Sequence, residues 1–260
     1  MGACSPAWAE ARSVPPALMG EGAMLSKLHR AVLRAYYESR TIDITDSYIE
    51  WLKYVTAGVL VRGNLYSMDH AIRNLPDHGS VIEIGTLCGL STNAMSYYMR
   101  KHGRKNQLFT CDAWTYERFI DEEAICEVPI EEYQQFVKST YIRNAQMFSR
   151  QALPSTVQML SDPFFAAWEE NRTVTDVFGR QVTLGGPIGF AYIDGDHSYE
   201  QSRQDFLNCD RYLVRGGFVL FDDSADYSEW GARRTAQEAM HRKDYELVIK
   251  NPNYLLRKVA

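Results

Sequence analysis

Four aspartates close two short apolar runs. The first run, Phe190-Ala191-Tyr192-Ile193, leads into Asp194-Gly195-Asp196-His197. The second, Phe218-Val219-Leu220-Phe221, leads into Asp222-Asp223. If the runs are neighbouring parallel strands, these acids meet at one sheet edge, where open α/β sheets bind ligands. Three or four carboxylates in one cleft repel each other unless something positive joins them. A hard divalent cation bound through oxygen, Mg²⁺ first, is the simplest answer; a set of helix caps facing solvent is the bland one. His197 starts the next helix beside these acids. With an ordinary pKa of about 6.5, a histidine there can take a proton from a substrate hydroxyl. His29, His70, His78, His102 and His241 have no such setting.

A second constellation follows an earlier apolar run: Val81-Ile82-Glu83-Ile84-Gly85-Thr86-Leu87-Cys88-Gly89-Leu90-Ser91. Gly85 and Gly89 let the backbone turn sharply and approach a ligand. The helix start beyond them offers free amides to an anionic group. Ser91 suits the helix cap, and its hydroxyl can also reach a carboxylate. The spacing is not the dinucleotide fingerprint G-x-G-x-x-G. Glu83 would repel a pyrophosphate and attract an ammonium. A ligand carrying both an amino group and a carboxylate fits this loop, and S-adenosylmethionine (SAM) is one. Asp112 ends the next run, Leu108-Phe109-Thr110-Cys111, where an acid can accept both ribose hydroxyls. Ala113 and Trp114 follow; the Trp114 indole suits adenine or the core. Ser161-Asp162, after a third run, fall at the next loop of the same edge. Asp162 is placed to accept from an adenine amino group or to cap the following helix.

The elements that must hold these residues read as an α/β fold. Runs at 80–84, 107–111, 156–160, 189–193 and 217–221 are short and apolar inside, as in strands buried on both faces. Helical stretches at 91–101, 130–150, 164–170 and 198–212 lie between them. A further helix at 232–242 leads to two closing runs, 245–250 and 254–259, close enough to pair as a hairpin. The pattern predicts a doubly wound, Rossmann-like sheet of seven mostly parallel strands with a C-terminal antiparallel hairpin. Thr173 to Gly186 interrupts the alternation and reads as an inserted hairpin. Ahead of the sheet, apolar periodicity predicts helices over 23–40, 46–59 and 66–75. The expected organisation is a loose stretch at 1–22, an N-terminal helical cap at 23–64 and the main domain at 65–260.

Composition narrows the class. The 260 residues are 45% hydrophobic and 23% charged, enough to bury a core. A net charge of −5 disfavours a broad nucleic-acid surface. No apolar run approaches the ~20 residues of a membrane helix, and the N-terminal stretch does not read as a secretory signal. Five cysteines without CxxC spacing fit reduced thiols in a cytoplasmic protein. Tyr36, Tyr37, Trp51 and Tyr54 make the front section aromatic, which suits a homo-oligomer interface or plain core.

The text Glu83-Ile84-Gly85-Thr86-Leu87-Cys88-Gly89-Leu90-Ser91 is similar to the E-x-G-x-x-C-G-x-S of catechol O-methyltransferase. Ile193-Asp194-Gly195-Asp196-His197-Ser198-Tyr199-Glu200, with the later G-G-F-V-L-F-D-D, is typical of a broader methyltransferase group. The chain from about Leu65 to Val259 thus resembles class I SAM-dependent methyltransferases. More narrowly it resembles the metal-dependent O-methyltransferases of the catechol and the macrolide and aminocoumarin sugar types. The resemblance implies that Glu83 and Ser91 hold the methionine part of SAM and Asp112 the ribose. It places Asp194, Asp222 and Asp223 on the three metal-ligand positions. The catechol enzyme carries an amide at the last of these. His197 falls where that enzyme has its general-base lysine, and Asp196 is an extra carboxylate that could serve as base or orient substrate. The implied reaction is deprotonation of a cation-acidified hydroxyl by His197, then in-line attack on the sulfonium methyl. The implied acceptor is a small hydroxyl-bearing molecule, a sugar or natural product first and a phenol second. The N-terminal helices and the 173–186 insertion are expected to wall its pocket. The same fold without a metal, methylating nitrogen or a carboxylate, is the alternative.

Overall fold

The computed structural model describes residues 27–115 and 128–260. The expected loose stretch at 1–22, the first residues of the 23–40 helix, Cys4 and Cys126 lie outside the described residues. Cys88, Cys111 and Cys209 are buried free thiols. Among the described residues no helix is long and apolar enough to cross a membrane.

Seven strands form one sheet: β1 (Ser80–Ile84), β2 (Leu108–Cys111), β3 (Ser155–Val157), β6 (Ile188–Ile193), β7 (Leu213–Phe221), β8 (Tyr245–Lys250) and β9 (Tyr254–Lys258). Their order is β3-β2-β1-β6-β7-β9-β8. The first five run parallel; β9 enters antiparallel to β7 and pairs with β8 as a hairpin. The chain builds outward from β1 to β3, then returns to β6 on the other side of β1. That reversal is a topological switch point, and the C-terminal ends of β1 and β6 face the crevice it leaves.

The period of two along each strand sorts the core into two layers. Val81, Phe190, Tyr192, Phe218 and Leu220 point to one face. There they meet Ile49 and Leu52 of α2 (Ser47–Val55), Leu65 and Met68 of α3 (Arg62–Arg73), and Met95 and Tyr98 of α4 (Leu90–Lys101). Ile82, Phe109, Ala191, Val219 and Phe221 point to the other. They meet Phe164 and Trp168 of α6 (Ser161–Glu169), Phe206 of α7 (Tyr199–Tyr212) and Ala236 of α8 (Ala232–Met240). With both faces covered, every residue of β6 is buried. α5 (Ile130–Phe148) closes the β2–β3 crossover. α1 (Lys27–Glu38) buries Leu33 and Tyr37 beside Tyr227, and the Tyr37 hydroxyl donates to Asp226 at 2.5 Å.

Several boundaries differ from the sequence expectation for identifiable reasons. α3 begins at Arg62 rather than 66: Gly63 and Asn64 are poor helix formers, but tertiary contacts of that first turn, Gly63 against Asn251 and Asn64 with Asp222, override the propensity. α6 begins at Ser161, with Pro163 in the first turn, where proline costs no helix bond. β7 begins at Leu213 and carries a left-handed Gly216 (φ 84°) inside it.

The 173–186 insertion is a hairpin of β4 (Thr173–Thr175) and β5 (Gln181–Thr183). Its place corrects the expectation that it walls the acceptor pocket. Val177 N donates to Thr156 O at 2.9 Å and Arg180 to Leu153 O at 3.3 Å, so the hairpin covers the open edge of β3. That edge is three strands away from β6.

Candidate active site

The two acid-tipped strands are neighbours, so their ends meet. One oxygen of Asp194, one ring nitrogen of His197 and one oxygen of Asp222 lie within 4.8 Å of one another. No other three donors of this kind gather so closely among the described residues. His197 Nε2 is 4.0 Å from Asp194 Oδ1 and 3.6 Å from Asp223 Oδ2. Asp194 titrates well above the ordinary carboxylate range, because it is desolvated and Asp222 stands beside it. Burial and Asp222 also raise Asp223, against the pull of His197. Carboxylates gathered this way repel each other, and a cation between them would relieve that.

Asp222 is held from three directions. Its Oδ1 accepts from Asn64 Nδ2 and from Asn253 Nδ2, the latter at 3.1 Å. Its backbone N–H donates to Ile193 O at 2.9 Å. Asn253 Nδ2 also reaches Asn64 Oδ1 at 3.1 Å, so the two amides form one bridge over the carboxylate. Tyr192 donates to Asp194 Oδ2 at 3.0 Å. Asn64 stands in the first turn of α3, which approaches the β8–β9 turn very closely. A Cβ on Gly63 would lie 1.5 Å from Asn251 O, so only glycine allows this approach.

The glycine loop lies beside this cluster at the end of β1. Gly85 (φ 83°) passes so near the β6 end that a Cβ would sit 2.0 Å from Asp194 O. Asp112 organises the loop from the end of β2. Its Oδ2 accepts from Thr86 N at 2.8 Å, Thr86 Oγ1 at 3.1 Å and Leu87 N at 3.2 Å. Its Oδ1 accepts from Trp114 N at 2.7 Å and keeps a lone pair. Glu83 is fully buried and accepts from the Ser91 and Thr92 hydroxyls. Burial pushes its pKa up to about 8, against those two bonds.

A family model described as a methyltransferase domain matches residues 82–224, more than half of the chain. The chain belongs to this methyltransferase family. Solved structures of the same fold include the S-adenosylhomocysteine-bound methyltransferase PaMTH1 of Podospora anserina. It is 12% identical with a TM-score of 0.54, covering 93% of this chain and 100% of that one. The O-methyltransferase of Bacillus cereus, solved with S-adenosylhomocysteine, is 16% identical with a TM-score of 0.51 (88% and 97% covered). CalS11, a TDP-rhamnose 3′-O-methyltransferase of calicheamicin biosynthesis, is 18% identical with a TM-score of 0.52 (90% and 96% covered). At those identities the likeness is one of fold. An uncharacterised mimivirus protein, R132 of Acanthamoeba polyphaga mimivirus, is 42% identical over 45 residues. That match spans 17% of this chain and a fifth of the viral protein, 20%.

Within this methyltransferase the residues singled out in the sequence fall in different settings. Asp194, Asp222 and His197 converge. Asp223, expected as a third ligand, has its carboxylate beside His197 instead and lies outside the 4.8 Å group. Its left-handed backbone (φ 47°) turns it away from the line of the strand. Asp196 Oδ1 accepts from Ser198 N at 2.7 Å at the mouth of α7. Gly89 (φ 89°), not Ser91, is the N-cap of α4, because Ser91 is turned inward to Glu83. Trp114 is core rather than an open adenine platform: it is buried on Tyr141 and donates to Leu87 O at 3.1 Å. Ala113 O accepts from Gln158 at 3.4 Å. Ser161 accepts from Gln201 at 3.2 Å. Asp162 does not cap α6; it is exposed, and its Oδ1 accepts from Asn208 at 3.0 Å.

Asn64, Tyr192 and Asn253 were not singled out in the sequence. Asn64 did carry a signal: it falls on the same helical face as Met68 and Ile72, a polar residue at a core position. Asp205 is a further buried acid, pushed up to about 6 chiefly by burial. Its Oδ2 has no partner and lies 3.6 Å from where a Cβ on Gly195 would stand, beneath the Asp194 loop.

Proposed function

We propose that this methyltransferase moves the methyl group of SAM to a hydroxyl of a small molecule. A hard divalent cation would be held at Asp194 and Asp222, with His197 as the base and Asp223 as the partner of that base. The observation that carries the reading is the meeting of Asp194, Asp222 and His197 within 4.8 Å at the switch point. The donor set fits such a cation: oxygen ligands on adjacent strand ends, one of them raised well above its ordinary pKa by its neighbour. When bound, the cation supplies Lewis acidity that lowers the pKa of an acceptor hydroxyl.

The chain's own residues do the rest. Asn64 and Asn253 fix the Asp222 carboxylate, and Tyr192 fixes that of Asp194. His197 Nε2 takes the hydroxyl proton, and Asp223 at 3.6 Å stabilises the imidazolium that forms. The first turn of α4, whose leading amides have no partner within the helix, offers donors to the methionine end of the cofactor, and Asp112 offers its remaining lone pair to the ribose. Holding the methyl donor and the oxyanion in line supplies much of the acceleration. A sugar or natural-product hydroxyl is the first acceptor class and a phenol the second. The sugar-acting neighbour of the same fold supports that order.

The test is titration of SAM into EDTA-treated protein, followed by Mg²⁺ into the complex. SAM binding with a separate Mg²⁺ event that Asp222→Ala abolishes supports the reading. SAM binding without that event removes the cation and moves the search to nitrogen and carboxylate acceptors. His197→Ala should cut turnover far more than SAM affinity; equal loss of both counts against the base.

A further inference from the structure

Trp230 stands half-exposed (49%) beside the candidate base, while Trp114 and Trp168 are buried. Its ring centroid is 5.5 Å from that of His197, with the planes at 49°. The backbone holds it there. A Cβ on Gly231 would lie 2.1 Å from Tyr199 N, so the segment before α8 is pressed against the start of α7. Ala232 N donates to His197 O at 3.1 Å, and Trp230 N donates to Ser228 Oγ at 3.2 Å. The preceding residue, Glu229, pairs with Arg30 of α1 at 2.5 Å. The indole therefore keeps its place relative to the imidazole.

An exposed indole fixed beside a proton acceptor offers a flat apolar face next to the reacting position. At 5.5 Å the two rings are in contact, so a ring lying on the indole would carry its substituent towards the imidazole. Aromatic faces favour flat or C–H-rich partners over flexible polar chains. We infer that Trp230 is the platform on which a ring of the acceptor lies while its hydroxyl reaches His197. The inference rests on the proposed hydroxyl methylation and narrows the acceptor to a cyclic one, either a pyranose or an arene.

Saturation-transfer NMR tests this on the full chain loaded with S-adenosylhomocysteine and Mg²⁺. The probes are methyl rhamnopyranoside, catechol and, as an open-chain control, erythritol. At least one ring probe should bind and erythritol should not. Trp230→Ala should weaken ring binding about tenfold, Trp230→Leu should recover part of it, and Trp230→Phe should come within about threefold of the wild type. Which ring probe binds separates the sugar from the arene. A wild-type protein that binds no ring probe, or Trp230→Ala binding the rings as wild type does, overturns the inference. S-adenosylhomocysteine affinity, followed in parallel, should be equal in all variants. Its absence in the wild type would overturn the cofactor reading instead of the platform.

Discussion

Replacing Glu83 by glutamine probes the acid sealed beneath the glycine loop. Glu83 has no solvent exposure inside β1. Burial, with a smaller contribution from Asp112, carries its pKa from 4.5 to about 8, although the Ser91 and Thr92 hydroxyls pull it down. Between those two values the folded chain holds a proton that the unfolded chain has released. Glu83 therefore contributes its full stability below pH ~4.5 and loses it as pH rises towards ~8. The gap of about 3.5 in pKa, at about 1.36 kcal/mol for each, amounts to about 5 kcal/mol. Glutamine removes the titration and keeps the geometry: its oxygen accepts from one hydroxyl and its amide donates to the other. Urea unfolding of both proteins at several pH values between 5 and 9 is the assay. Asp205 titrates in both proteins and cancels in the difference, whereas Asp194 feels the Glu83 charge and contributes only through that smaller coupling. The stability of Glu83→Gln relative to wild type should rise by about 4 kcal/mol from pH 5 to pH 9. Parallel stability curves across that range would refute the buried, protonated acid.

The same acid predicts a proton count. On the proposal that Glu83 pairs with the SAM ammonium, the buried neutral acid must ionise, so SAM binding at pH 7 should release close to one proton. Calorimetry in two buffers of different ionisation enthalpy reads this, and Glu83→Gln should release none. Gly63→Ala should displace α3 from the β8–β9 turn, since its Cβ would lie 1.5 Å from Asn251 O. It should cost about 3 kcal/mol in urea unfolding and weaken Mg²⁺ binding through the lost Asn64–Asp222 contact. An unchanged midpoint would contradict the close approach.

What was legible in the sequence is what short-range pattern encodes. β6 could be read because six consecutive buried residues make an unbroken run, and Asp194 because it ends that run. The left-handed turns at Gly85 and Gly89 could be read because glycine is the residue such turns select. The orientation of Trp114 could not: its backbone has φ 52°, a conformation few non-glycine residues adopt, and this turns the indole under the loop. Asp223 is similar, since its left-handed backbone separates it from Asp222 although the two are adjacent in sequence. Trp230 lies in no periodic segment, and its place beside His197 depends on the contact of Gly231 with Tyr199 across two elements.

The residues that hold Asp222 lie outside the stretch that identifies the family. That stretch runs from 82 to 224 and carries Glu83, Asp194, His197 and Asp222 itself. Asn64 comes from the helix before it and Asn253 from the hairpin after it. A carboxylate buried at 5% exposure needs donors, and a strand end alone does not supply them. α3 can bring its amide in only because Gly63 has no side chain to keep the helix off Asn251. The catalytic edge of the sheet and its flanking elements therefore form one unit. A fragment cut to the matched residues would keep most of the parallel strands but lose the closing hairpin and both side-chain donors to Asp222.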